Sequence, residues 1–559
     1  MSALLCLTAI LKFFFTFAGA QKDLYVPCPL LGPPVPPPLI DPKTAAVQKI
    51  SKQFSAFIDQ YVAAEKGDFG PVTPNKTSFS IALFAGSNYV ASEADPSFFY
   101  EYHHEAGLAA NNTDALSADS KFAVGELTQL FTVYALLIEL GDEVLGRSIT
   151  YHLPELKGLS NFRNALTQVR WEDVTLASLA GHMSGVARSS EACSINRKCS
   201  AQDLLKDLAM SPPIYLPETT PIFSDAAFQL LAAALERETG KAFAQILSGS
   251  IFSPLNMTNT SLLAGSATNG NLSSPSQLYG NDLLNTSYVG EPAALGLTTT
   301  IQDLSTAGRA MLTSHLISPA TTRRWLKPHT STSNIKNSVG RPWEIYHYGS
   351  NDSVMDIYTK SGSLGSYGSY FGLVPDYDIG FAILAVNHDE EAAPDLNAYA
   401  DMCIVALNLV QKSAYSTANE TLAGTYRSLN CNDNSSLVLD LDTKLHGLHV
   451  SSLALNGTDY LATIAALIGA QAGNADIRLY PTNLVEQSNG VKRQAFRAVI
   501  QDMSEFVDAG TPTCVSWQTI DILRRGGLSL DRVVLEYDSN GTATAIEWPA
   551  LDVEMQRQQ

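Results

Sequence analysis

Phe122-Ala123-Val124-Gly125-Glu126-Leu127-Thr128-Gln129-Leu130-Phe131-Thr132 is the stretch around which this chain is organised. Residues 130–140 are apolar and end at Gly141, which predicts a buried helix with its stop signal. Glu126 and Gln129 stand one helical turn apart at its start, on one face. Upstream, Val47, Ile50, Phe54, Phe57, Ile58 and Tyr61 recur at three- and four-residue steps and predict a helix over 44–64. Residues 79–91 then alternate as strands do. Downstream, 202–208 and 228–239 are helical, the second stopped by Gly240. Residues 370–374 and 380–386 flank the turn Pro375-Asp376-Tyr377-Asp378 and read as a hairpin. A helix over 395–409 should pack on its sheet, and polar residues 412–421 mark a boundary. Beyond Leu422, short strands at 437–441, 446–453, 476–480, 494–500 and 532–537 predict a small antiparallel β domain, with a barrel as one form it can take. Residues 461–472 stay open between helix and loop. There is no internal repeat.

A chain of 559 residues holds two or three domains. Acids outnumber bases 55 to 36, for a net charge of −19. That balance argues against nucleic acid or an anionic membrane as partner and serves solubility. Residues 3–17 are largely apolar, and Ala18-Gly19-Ala20 is a small-residue cleavage pattern, so 1–20 reads as a signal peptide. The apolar run falls short of the roughly 20 residues a spanning helix needs. The expected product is secreted, with no membrane anchor after cleavage. Sequons at Asn75, Asn111, Asn256, Asn259, Asn271, Asn285, Asn351, Asn419, Asn434, Asn456 and Asn540 fit a glycosylated surface.

Removing the signal leaves Cys28, Cys193, Cys199, Cys403, Cys431 and Cys514. Cys193–Cys199 would close a small loop, Cys431–Cys514 would bridge the C-terminal region, and Cys28–Cys403 would pin the N-terminal arm to the main domain. Six cysteines allow 15 pairings, and the sequence does not choose among them. Their scatter does not suggest a metal site, and no cofactor is implied. Residues 21–43 are Pro-rich, an extended arm. The division is then 1–20 signal, 21–43 arm, 44–412 main domain and 420–559 β domain. His103-His104-Glu105 invites a metal reading, but adjacent strand residues point to opposite faces, so these histidines are expected to be structural.

The opening stretch resembles the F-x-I-G-S-x-S-K-x-F-T segment of serine β-lactamase-like and penicillin-binding-protein-like proteins. Four further segments carry the resemblance: 174–185, similar to V-T-L-x-x-L-L-x-H-x-S-G; 297–312 with Thr299, Asp303 and Leu304; Trp343-Glu344-Ile345, similar to the P-W-E-I of fungal secreted members; and Thr359-Lys360-Ser361-Gly362, similar to the K-[ST]-G strand. Gly424-Thr425-Tyr426 resembles the extra C-terminal domain of some fungal members. The resemblance implies an α/β (α+β) fold: an antiparallel sheet flanked by helices, an all-helical subdomain, then the small antiparallel β domain.

The departures concern chemistry. The serine nucleophile position is Glu126 and its activating lysine position is Gln129. The middle motif, Y-x-N in the family, reads Phe223-Ser224-Asp225. Phenylalanine has no proton to relay, and ionised aspartate cannot donate a hydrogen bond. Lys360 persists, with Ser361 and Gly362 as substrate-binding candidates. Glu126 and Lys360 are expected to face each other, as an ion pair filling a vacated site or as acid/base groups. His182 is implied to be a structural turn residue. The other Ser-x-x-Lys, Ser333-Asn334-Ile335-Lys336, lies in a polar loop. Three functions stay open: a pseudoenzyme binding a small molecule, an enzyme repurposed for proton transfer or cyclisation in secondary metabolism, and a weak hydrolase or acyltransferase using Thr128 or Ser361.

Overall fold

The structure, a computed structural model, describes residues 25–558 apart from 91–96, 110–114, 160–163, 194–199, 264–271, 274–276, 281–288, 351–352, 390–391, 431–432, 443–444, 489 and 506–511. The signal segment, Cys199, Cys431 and the sequons at Asn111, Asn271, Asn285 and Asn351 lie outside the described residues. The chain divides into two compact units, one holding 39–348 and 356–410, the other 411–559 with the N-terminal arm and 349–355.

In the first unit, α1 (Ala45–Ala64) begins at Thr44, whose side chain accepts the N–H of Val47, a Thr N-cap. It buries the apolar stripe Val47, Ile50, Phe54, Ile58 and Tyr61. β1 (Thr77–Ala85) and β2 (Tyr100–His104) follow. α2 (Thr128–Leu140) is preceded by a 3₁₀ turn, Gly125–Leu127, and ends at Gly141. α3 (Ala226–Thr239) ends at Gly240 in the left-handed conformation. α4 (Ile301–Leu312) precedes β3 (Thr330–Ser331), β4 (Asn337–Val339), β5 (Glu344–Ser350), β6 (Ser353–Leu364), β7 (Tyr367–Val374), β8 (Ile379–Asn387) and α5 (Asn397–Thr421). The sheet order is β2-β1-β8-β7-β6-β5-β4-β3.

Every residue of β1 and β8 is buried, because helices cover both sheet faces. The half-exposed alternation expected over 79–91 is therefore absent, and β1 ends at Ala85. Phe79 packs edge-on against Tyr399 of α5 at 4.8 Å. Tyr100, paired with Leu83, meets Phe54 of α1 at 5.1 Å. Phe84, on the other face, stacks on Phe371 at 5.7 Å. A Cβ on Gly308 of α4 would lie 2.2 Å from the Phe84 ring, so glycine sets how closely α4 approaches. α2, apolar on all sides, forms the centre of the helical region with α3, as an all-round hydrophobic helix must.

α5 runs twelve residues further than its expected end, through the polar stretch 412–421 read as a linker. Each histidine of the 103–104 pair has its own partner. His103 Nδ1 meets Ser80 Oγ at 2.8 Å, and His104 Nε2 meets the Pro74 carbonyl at 2.8 Å.

The second unit is a closed antiparallel barrel. Its strands are β9 (Gly424–Arg427), β10 (Ser436–Leu441), β11 (Leu448–Leu455), β12 (Ala475–Ser488), β13 (Val491–Asp502), β14 (Arg532–Tyr537), β15 (Ala543–Trp548) and β16 (Val553–Arg557). The order β10-β9-β16-β15-β14-β13-β12-β11 closes through pairing of β10 with β11. The segment left open in the sequence contains a helix, Leu461–Leu467. The Pro-rich arm is extended where described and carries the disulfide Cys28–Cys514, with Cα atoms 5.3 Å apart. Gln501 Oε1 accepts the Cys28 N–H at 2.7 Å, which helps seat the arm on this unit.

That bridge corrects two expected pairings. Cys431–Cys514 fails because Cys514 is taken, and Cys28–Cys403 fails because Cys403 is a free, fully buried thiol on α5. Burial pushes that thiol's pKa well up. Cys193 is disulfide-bonded, and the Cys199 end of its expected bridge is undescribed. No helix among the described residues is long and apolar enough to cross a membrane.

Candidate functional site

Two stretches of main chain meet at the cleft. Gly125 has φ +53°, and a Cβ there would lie 2.2 Å from the Ser363 carbonyl oxygen. A Cβ on Gly362 would lie 2.2 Å from the Val124 oxygen and 2.5 Å from the Leu127 nitrogen. Only glycine permits this approach. Ser369 Oγ donates to the Val124 carbonyl at 2.7 Å. Thr128 Oγ1 donates to the Gly125 carbonyl at 2.6 Å and accepts the Leu297 N–H at 3.0 Å. These contacts fix the helix start against β6, and they leave the Thr128 hydroxyl buried and committed.

Glu126, half-buried on the turn, accepts the Ser363 N–H at 2.7 Å. Lys360, whose side chain is 1% exposed, donates to Glu344 Oε1 at 2.8 Å and to the Ser361 carbonyl at 2.6 Å. The second oxygen of Glu344 takes the Ser361 N–H at 3.0 Å and the Ser361 hydroxyl at 2.9 Å. The expected Glu126–Lys360 ion pair therefore does not form. A carboxylate from the neighbouring strand claims the ammonium, and Glu126 turns to a main-chain donor instead. Of the two substrate-binding candidates, Ser361 has its hydroxyl held by Glu344, and Gly362 packs against the turn.

Gln129 is fully buried. Its Nε2 donates to Asp225 Oδ1 at 2.8 Å, while its Oε1 has no partner among the described residues. Burial raises the Asp225 carboxyl to about 6, helped by the nearby Glu126 charge and opposed by Arg188, Lys360 and the Gln129 hydrogen bond. Glu291 accepts the Ser190 N–H at 3.1 Å, and burial raises it to about 7. Phe223 lies stacked on His182 at 4.5 Å, with the Arg188 guanidinium 4.6 Å and the Lys360 ammonium 5.4 Å from its ring centre. Two cations thus lie against one aromatic ring. His182 sits at φ +56° and accepts the Ser224 N–H on Nδ1 at 3.2 Å. Burial, then Lys360 and Arg188, lower its pKa to about 3, so the ring is neutral. This is the structural turn role anticipated for it.

The structure thus brings Glu126, Gln129, Phe223, Asp225 and Lys360 to one place. Ser333 and Lys336 lie apart, in an exposed loop between β3 and β4. Sequence reasoning missed Arg188, Glu291 and the role of Glu344. Only Glu344 carried a signal, through the Trp343-Glu344-Ile345 motif. No cluster of three or more potential metal ligands occurs among the described residues.

Comparison with known proteins agrees with this architecture. Residues 414–559 match a family model described as "Beta-lactamase-like-like, C-terminal domain". A "Beta-lactamase-like protein" of Arthroderma benhamiae is 28% identical over 526 residues, covering 83% of this chain and 84% of that protein. A "Probable hydrolase" of a Phoma species is 23% identical over 444 residues, covering 71% of this chain and 70% of its own. A solved class C beta-lactamase mutant is 16% identical with a TM-score of 0.48, covering 66% of this chain and 99% of that one. The model named "Beta-lactamase" matches residues 100–405, more than half of the sequence, and the chain belongs to that family.

Proposed function

We propose that this protein is a secreted, glycosylated member of the family that binds a small molecule in its cleft and forms no acyl-enzyme. The observation that carries this reading is the pair of contacts at the helix start: Glu126 engages the Ser363 N–H, and Gln129 engages Asp225. A carboxylate attacking an amide would form a high-energy anhydride, and a glutamine amide does not titrate as a base. Loss of the nucleophile or its base from a triad enzyme costs on the order of a million-fold in turnover. The sequons at Asn75, Asn256, Asn419, Asn434, Asn456 and Asn540 are exposed, as glycosylation requires, and Asn259 is half-buried. A fluorophosphonate probe is the test. The folded protein should remain unlabelled, and stoichiometric labelling of one residue would overturn the reading.

A second reading is a repurposed enzyme for proton transfer or cyclisation. It is favoured by Asp225 at about 6 and Glu291 at about 7, where acid/base groups work near neutral pH. A third, weak hydrolysis or acyl transfer, draws on the name of the Phoma relative and on Ser361, whose hydroxyl donates to Glu344. The same probe separates it from the first, since Ser361 would then label.

A further inference from the structure

A cavity of about 330 Å³ lies between β4–β8 and α5, within the first unit. Its position follows from strand register. Lys360 pairs with Phe371, and Ser361 pairs with Tyr370. Directly paired residues share a face, and successive residues alternate. Phe371 faces α4, where a Cβ on Gly308 would come within 3.1 Å of it. Tyr370 therefore faces the α5 side, where it lines the cavity with Phe381 and Tyr346. The cavity thus opens on the sheet face opposite the Lys360 cleft.

Its charged groups share one sign. Asp401 of α5 and Glu344 of β5 both line it, with Thr359 between strands. Asp401 makes no hydrogen bond or ion pair with any described residue, and partial burial raises its pKa. The Tyr370 hydroxyl lies within electrostatic reach of both carboxylates. Glu344 already holds Lys360, so Asp401 is the acid left without a cation. The remaining walls combine aromatic and aliphatic side chains, including Ile357 and Ile404, with the neutral polar residues Thr332, Asn337 and Ser338. A volume of about 300 Å³ is enough for a compact organic molecule. An uncompensated carboxylate beside aromatic faces selects a cation with an apolar body, by ion pairing and by cation–π attraction.

We infer that this cavity is a second small-molecule site, separate from the Lys360 cleft, for an organic ammonium ion whose charge meets Asp401 and whose apolar body lies against Tyr346, Tyr370 and Phe381. The cavity shares Glu344 with the Lys360 cleft, but the proposed charge contact is Asp401 and does not depend on the cleft's function.

Calorimetric titration tests it, with 2-phenylethylammonium chloride as probe and 3-phenylpropionate as its charge-reversed counterpart. The expected result is saturable binding of the ammonium probe and none of the carboxylate. Asp401→Asn should weaken the ammonium probe at least tenfold. Ala400→Phe, which fills the cavity from α5, should abolish binding. Circular dichroism confirms that each variant is folded. If Ala400→Phe does not fold, Asp401→Asn alone decides. Absence of saturable binding, equal binding of both probes, or affinity unchanged in Asp401→Asn would overturn the site.

Discussion

The two walls of the cleft differ in how their side chains are held. On the strand wall, Lys360-Ser361-Gly362 retains the family's residue types, and its ammonium is locked by Glu344. On the helix wall, Glu126 and Gln129 sit on an equally tight backbone, with Gly125 pressed against Ser363. The main-chain contact between the walls constrains both equally. The side chains on it are constrained only by what they bond: at the helix wall Glu126 takes the Ser363 N–H and Gln129 reaches Asp225, while Gln129 Oε1 has no partner among the described residues.

Restoring the helix wall should break the contrast most sharply. Glu126→Ser, Gln129→Lys and Phe223→Tyr together should raise hydrolysis of a p-nitrophenyl ester on the order of a thousand-fold over the parent. A folded triple variant that stays inactive would mean the walls differ in more than these side chains. Next in size is the shared backbone. Gly362→Val should cost more than about 3 kcal/mol in urea unfolding, because the clashing atoms are main chain and cannot swing away.

The strand-wall carboxylate comes third. Glu344→Gln leaves a buried ammonium without its charged partner, and should cost about 2 kcal/mol because Glu344 itself is 39% exposed. The buried acid between the walls should give a smaller, pH-dependent effect. The native state holds the Asp225 proton more tightly than the unfolded chain, about 6 against 3.8. Stability from this group is therefore present below about pH 4 and is lost as pH rises through about 6. Asp225→Asn should melt higher than the parent at pH 8, by on the order of 1 kcal/mol, and equal it near pH 4. Smallest is Glu126→Gln, under about 1 kcal/mol, since the amide oxygen can still accept the Ser363 N–H. A larger loss there than at Glu344 would reverse the ranking of the two walls.

The sequence revealed what is local. Residues 130–140 are apolar on every side, and Lys360 sits in a contiguous motif, so both were legible. β1 was misread as alternating because the layers covering both its faces come from α4 and α5, remote in the chain. α5 was cut short because its last turns expose polar residues, which in sequence look like a linker. The partners of the cleft are remoter still: Glu126 and Ser363 are 237 residues apart, and Glu291 meets Ser190 across 101. The bridge between Cys28 and Cys514 spans 486 residues, and no spacing rule reaches that far.

The seam that joins β10 to β11 has a consequence for how the C-terminal unit ages. A hoop of strands offers no loose hem of backbone donors and acceptors onto which another molecule can stitch itself. Fibrillar growth through these barrel strands would first have to rip that seam.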